Sequence, residues 1–316
     1  MRPILRAAVA IGVTAAAAGT AIGAAASGRE TGRPADALAV REGGGWVTWW
    51  RPDSAPARWD GSAPLADRVA WRPGASGLEW GELQLRGGNE AWRTRVVVVR
   101  LDPRRIELSL APAFSERARW TVADAGEDAA LALDAGQFRG SLPWGWVVAG
   151  GREVLAPEYA PLAGAVVVDR SGAVRVVAPD SVAAEHGRGA AREAFQSYPM
   201  LLLDGEVPEP LREPGRGVDL AHRDARLALG TVADGRVVIA LTRFDALGGS
   251  LGRVPFGLTS TEMAAVMGAL GCRNALLLDG GISGQLLVRE ADGSARTWPG
   301  TRSVPLGLIG RPGALR

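Results

Sequence analysis

The sequence predicts an α+β fold: mixed, largely antiparallel sheets with a few packing helices, in a single domain. Three observations carry this. Short β-branched runs recur along the chain and are separated by Gly, Pro and Asp turns. Helical periodicity is confined to one clear segment near residue 260. A composition of 47% hydrophobic and 22% charged residues over 316 residues is that of a globular chain able to bury a real core.

In chain order, the N-terminus reads as an export signal. Arg2 and Arg6 form a positive start, and Ala7 to Ala26 is apolar and uncharged, ending in Ala24-Ala25-Ala26. No Cys follows, which excludes a lipoprotein anchor. Residues 1–26 are therefore expected to be a cleaved signal, giving a periplasmic or secreted protein that meets a membrane only if this segment stays uncleaved. Residues 27–79 read as a linker, up to about residue 45, followed by a Trp-rich arm; over residues 46–80 the six residues Trp46, Trp49, Trp50, Trp59, Trp71 and Trp80 fall in a Pro-rich stretch without periodicity. They either form a carbohydrate-stacking face or pack the arm onto the domain.

Residues 80–316 form the expected domain. Arg95 to Leu101 is strongly β-branched, Asp102-Pro103-Arg104 breaks it, and Ile106, Leu108 and Leu110 then alternate with polar residues. That predicts a strand, a turn and a half-buried strand. Ala165 to Asp169 with Val174 to Ala178, and Ala225 to Ala233 with Val237 to Arg243, predict two further strand pairs. The second is joined by the hairpin dipeptide Asp234-Gly235. Thr259-Ser260-Thr261-Glu262 has the capping-box pattern. Met263, Val266, Met267 and Leu270 follow at helical spacing, and Gly271 supplies a stop. Asn274 to Leu278 is then a short apolar run, read as a buried strand.

Charge excludes some functions. All 36 basic residues are Arg, and they are interleaved with 34 acids, leaving a net charge of +2. No basic run with alternating aromatics appears, so the chain does not read as a nucleic-acid binder. The single cysteine, Cys272, permits no intrachain disulfide and reads as a small buried hydrophobe. His186 and His222 lie in polar stretches and read as solvated or capping side chains.

The chemistry concentrates at two strand ends. Leu131-Ala132-Leu133 runs into Asp134-Ala135-Gly136, and Leu276-Leu277-Leu278 runs into Asp279-Gly280-Gly281. A carboxylate at the end of a buried strand is pinned and partly desolvated, which suits acid–base work. The glycines would let a substrate approach the backbone. Met200 to Leu203 before Asp204-Gly205 reads instead as a hairpin turn. Asp134 and Asp279 are hard oxygen donors of the kind Ca²⁺ or Mg²⁺ accepts. Neither an acidic loop nor a His cluster accompanies them, so no metal is assigned.

The segment Cys272 to Ser283, with Leu278-Asp279-Gly280-Gly281-Ile282-Ser283 at its centre, resembles the signature of the phosphodiester glycosidase family. That family includes an N-acetylglucosamine-1-phosphodiester α-N-acetylglucosaminidase and exported bacterial proteins. Leu258 to Glu262 resembles the helix start ahead of that signature. Gln196-Ser197-Tyr198-Pro199-Met200-Leu201 resembles its central strand. Arg223-Asp224-Ala225-Arg226 resembles its R-x-x-R entrance, and Asp134-Ala135-Gly136-Gln137-Phe138 its N-A-G-x-F turn. The matches keep the family's order across residues 80–310. This chain departs in carrying Asp134 where Asn is usual, in Tyr198 where a small residue is common, and in its Trp-rich arm.

The resemblance implies a hydrolase acting on a sugar-1-phosphodiester or phosphorylated glycan. Asp279 would be a catalytic carboxylate with Asp134 as its partner across the cleft. Arg226 and Arg223 would grip phosphate. Gln196 and Ser283 would hydrogen-bond sugar or phosphate, Gly280 and Gly281 would offer backbone amides, and Gly136 would contribute to substrate binding. Glu262 is either a second carboxylate or the reciprocal half of the capping box, and Arg226 could pair with a neighbouring carboxylate. Two rival readings stand beside this one. One is a serine hydrolase using Ser283, His222 and Asp279. The other is a non-catalytic cell-envelope glycan-binding protein using the Trp-rich arm.

Overall fold

A run of four valines leaves too much apolar surface for a strand with a wet face. Val96 to Val99 are accordingly enclosed on both sides, and the strand Thr94–Leu101 lies inside a nine-stranded antiparallel sheet. The computed structural model describes residues 37–114, 119–245, 252 and 256–313. The expected signal and the start of the expected linker lie outside these residues. Residues 35–316 form one compact unit.

The large sheet runs in the order Met200–Leu202, Cys272–Leu278, Leu227–Val232, Val237–Phe244, Thr94–Leu101, Leu78–Arg86, Leu38–Glu42 and Gly45–Trp50, with Arg72–Pro73 pairing beside Leu78–Arg86. Its two faces have different partners. Trp80, Val97 and Val99 face a core shared with Leu131, Leu133, Val166, Val168 and Leu286 of two five-stranded sheets. Leu83, Leu85, Val96 and Val98 face the helix Ser260–Ala269 and the N-terminal arm. Alternate residues of one strand thus serve two cores, as the period of two dictates.

The helix forms where expected. Thr259 Oγ1 accepts from the Glu262 N–H at 3.2 Å, and Glu262 Oε2 accepts from the Thr259 N–H at 2.9 Å. Every residue of the helix but Thr261 is buried, so it is a core helix rather than an amphipathic surface one. A second short helix, Val182–Arg188, was not anticipated: its sequence is polar, and it is held by buried Glu185 pairing with Arg175 and Arg188.

Two expectations are corrected. The strands flanking Asp102 do not pair: Thr94–Leu101 stays in the large sheet, while Ile106–Pro112 pairs with Leu306–Pro312 in another. Also, the expected linker is already strand from Leu38, and the arm extends the large sheet as the hairpin Leu38–Glu42 and Gly45–Trp50. Its Trp residues mostly pack. Trp50 and Trp80 are buried, Trp49, Trp59 and Trp71 lie half-buried against the core, and Trp46 is exposed.

Candidate active site

Leu131–Asp134 and Cys272–Leu278 belong to different sheets, yet their carboxyl ends meet. The Asp279 N–H donates to the Gly136 carbonyl at 2.8 Å. Gly136 has φ +85°, and a Cβ there would sit 2.9 Å from the Gln196 carbonyl, so the turn requires glycine. The turn after Asp279 returns to the first strand: the Gln285 N–H donates to Asp134 Oδ1 at 2.9 Å.

This brings the two predicted carboxylates together but does not set them across an open cleft. Asp134 is wholly enclosed, and its Oδ2 has no hydrogen-bond partner among the described residues. Burial holds its carboxyl well above the usual carboxylate range, with the Asp279 charge adding to the rise and the Gln285 N–H opposing it. Asp134 is therefore a neutral group beneath the site. Asp279 is half-buried and stands above it. Burial raises its carboxyl as well; a hydrogen bond from the Ser283 side chain and the Arg302 charge oppose that rise, and the charge of Asp224 adds to it.

Asp224 was not singled out from the sequence, although it lies inside the Arg223–Arg226 tetrad. The Asp279-Gly280-Gly281 turn rests directly on this segment. The Gly281 N–H donates to the Ala225 carbonyl at 2.7 Å. A Cβ on Gly280 would lie 2.2 Å from that carbonyl oxygen, and one on Gly281 2.8 Å from Asp224 Oδ2. The two glycines thus permit backbone-to-backbone packing, and the Gly281 amide is engaged by Ala225 instead of being offered to a ligand. Asp224 is also raised by burial, against the charges of Arg226 and His222. His222 Nε2 lies 3.6 Å from Asp224 Oδ2.

The predicted binding residues divide. Arg226 is buried, donating from Nε to the Leu258 carbonyl at 2.8 Å and from Nη2 to the His222 carbonyl at 2.6 Å. It nonetheless borders a cavity of about 490 Å³, whose wall also holds Gln137, Trp144, Tyr198, Asp219 and His222. Arg223 points elsewhere. Its Nη1 and Nη2 reach Glu262 at 2.6 and 2.8 Å, so it closes a buried ion pair at the helix start, and Glu262 is a capping and pairing residue. Gln196 is also committed internally: Oε1 accepts from the Trp146 and Glu158 N–H groups, and Nε2 donates to the Glu158 carbonyl. Ser283 is buried against Asp279. A larger cavity, about 540 Å³, lies by the arm between Trp50, Trp59, Leu211 and the Arg223–Glu262 pair. Asp134, Asp224 and Asp279 line neither cavity; the last two reach the Arg226 cavity through their neighbours, Asp279 following Leu277 and Leu278, and Asp224 lying between His222 and Arg226. Among the described residues no three His, Cys, Asp or Glu side chains group as a metal site would.

The sequence alone does not single out Asp224 and Arg302 as site residues or Trp144 as a cavity wall, and it offers His222 only within the serine-hydrolase reading. Asp224, between two quoted arginines, and Tyr198, within the central-strand motif, carry local signals. The others come from segments that meet through the sheets.

A model of the phosphodiester glycosidase family matches residues 125–309. The solved catalytic domain of zebrafish N-acetylglucosamine-1-phosphodiester α-N-acetylglucosaminidase, auto-inhibited by its pro-peptide, superimposes with a TM-score of 0.56 at 15% identity, covering 83% of this chain and 97% of that one. A hypothetical protein from Synechocystis superimposes with a TM-score of 0.52 at 16% identity, covering 85% of this chain and 66% of that one. Comparison with curated proteins finds no match.

Proposed function

Because the chain belongs to the phosphodiester glycosidase family, we propose that it is an exported hydrolase that cleaves a sugar-1-phosphodiester in cell-envelope or extracellular glycans. The observation that carries this reading is Asp279. It is a half-buried carboxylate with a raised pKa, on a turn that packs against the segment delivering Arg226 to the cavity. A base acting at an anomeric carbon needs such a tuned and held carboxylate.

The chemistry follows from the surroundings. Trp144 and Tyr198 give the cavity an aromatic wall suited to an apolar sugar face, and Arg226 gives it fixed positive charge for a phosphodiester. Asp279 takes the proton of the water that adds to C1, and Ser283 holds the carboxylate in place. Asp134 stays neutral below, where it ties the turn down through Gln285. Arg223 and Gln196, both tied up within the fold, take no part in binding.

The test is hydrolysis of a panel of α-sugar-1-(methyl phosphate) diesters, teichoic-acid-like fragments included. Asp279→Asn should lower kcat about 10²–10⁴-fold with an unchanged melting profile. Wild-type activity in that variant removes the assignment.

A further inference from the structure

We propose that His222 and Asp224 form an acid pair that binds the departing phosphate and gives it a proton. The inference rests on the sugar-phosphodiester reading.

His222 stands on held backbone. Its N–H donates to Asp219 Oδ1 at 3.1 Å, and its carbonyl accepts from Arg226 Nη2 at 2.6 Å. The imidazole itself is more than half exposed and lines the cavity beside Arg226 and Tyr198. Behind it lies Asp224, half-buried, with Oδ2 3.6 Å from His222 Nε2 and Oδ1 accepting from the Ala225 N–H at 2.8 Å. Other charged or titratable groups face this pair from several elements. Asp219 lies in the same loop, Arg226 at the start of the next strand, Asp279 on the adjoining turn, and Arg139 and Tyr198 on other walls of the cavity. The imidazole ring presents an N–H donor that an anion in the cavity can accept from.

The reaction calls for this group. A phosphodiester carries one negative charge, which a guanidinium can bind. When the C1–O bond breaks, its electron pair settles on the bridging oxygen and the product is a phosphomonoester, whose second ionisation lies at about pH 6. Arginine cannot supply a proton at that pH, whereas histidine can. As water adds to C1, its proton passes to Asp279, and the proton of His222 passes to the departing phosphate oxygen. Return of a proton from Asp279 to His222 through solvent resets the site.

The experiment uses the full chain with ¹⁵N-labelled histidine. The protein contains two histidines, and His186 is paired with Glu153 and stacked edge-on against Trp146, so two imidazole signals are expected and His222→Gln assigns them. Methyl phosphate should shift the His222 signals while leaving those of His186 in place, and Asp224→Asn should weaken that response. On the diester panel, His222→Gln should lose about 100-fold in kcat with a smaller change in KM. It should also lose the limb on which wild-type activity falls with rising pH. His222 signals that ignore methyl phosphate overturn the inference. So does a His222→Gln enzyme with wild-type kcat and pH profile, an outcome that leaves the functional reading standing. A wild type that cleaves no diester overturns the functional reading, while the methyl phosphate titration still decides whether the pair binds phosphate.

Discussion

Asp134 illustrates how burial sets the charge of a residue. Its folded carboxyl is raised well above the ordinary value of 3.8, so the folded state holds a proton that the unfolded chain gives up. Its stabilising contribution is thus complete below the ordinary carboxylate range and is lost as pH rises through the folded pKa. Asp134→Asn keeps the Oδ1 acceptor for Gln285 and removes the ionisation. The variant should match wild type in thermal stability near pH 4 and exceed it near pH 8. Equal melting temperatures across that range would contradict a neutral Asp134. The sequence marked Asp134 as an acid at a strand end, but it contained no measure of enclosure. A tuned catalytic carboxylate and a neutral buried one look alike until neighbouring sheets close over them.

At the scale of elements, the helix Ser260–Ala269 was the most legible part of the chain, because its cap and its apolar spacing agree. Its second anchor was not legible. Glu262 caps Thr259 and pairs with Arg223, 39 residues earlier, with both side chains almost fully enclosed. Removing Glu262 takes the closest carboxylate away from an enclosed guanidinium, whose Nε also lies 3.8 Å from Glu90 Oε2. Glu262→Ala should therefore destabilise by about 3–5 kcal/mol. Thr259→Ala, which removes only a cap, should cost about 1 kcal/mol. Chemical denaturation of the two variants checks the ratio. If Glu262→Ala costs no more than Thr259→Ala, the Arg223 pair adds nothing. The hairpins joined by short turns were read correctly for the same local reason: register is set within a few residues. The Asp102 turn failed because three residues of turn chemistry cannot say whether the chain doubles back or crosses to another sheet.

At the scale of the molecule, the N-terminal arm is part of the core. Leu38, Val40 and Trp50 share one buried cluster with the helix and with the strand Thr94–Leu101. Trp50→Ala should therefore destabilise the whole unit by about 3–5 kcal/mol. Trp46→Ala, at an exposed position of the edge strand, should stay within about 0.5 kcal/mol. Global unfolding curves distinguish this from a detachable arm, for which neither substitution would move the main transition. The site is likewise a product of the whole molecule. One carboxylate ends a strand of a five-stranded sheet, another follows a strand of the nine-stranded sheet, and a third lies on the loop that enters the neighbouring strand.

By itself the sequence determined the elements whose causes are local: the capped helix, the tight hairpins, the valine-rich central strand, and the Asp-Gly-Gly turn with its family resemblance. Each rests on hydrogen bonds or side-chain periodicity within about ten residues. Only the tertiary structure decided which acids face solvent, which arginine reaches the cavity and which closes an ion pair, and that His222 stands in front of Asp224. Those outcomes depend on desolvation and on charges brought together across sheets, and neither quantity exists until the chain has closed on itself.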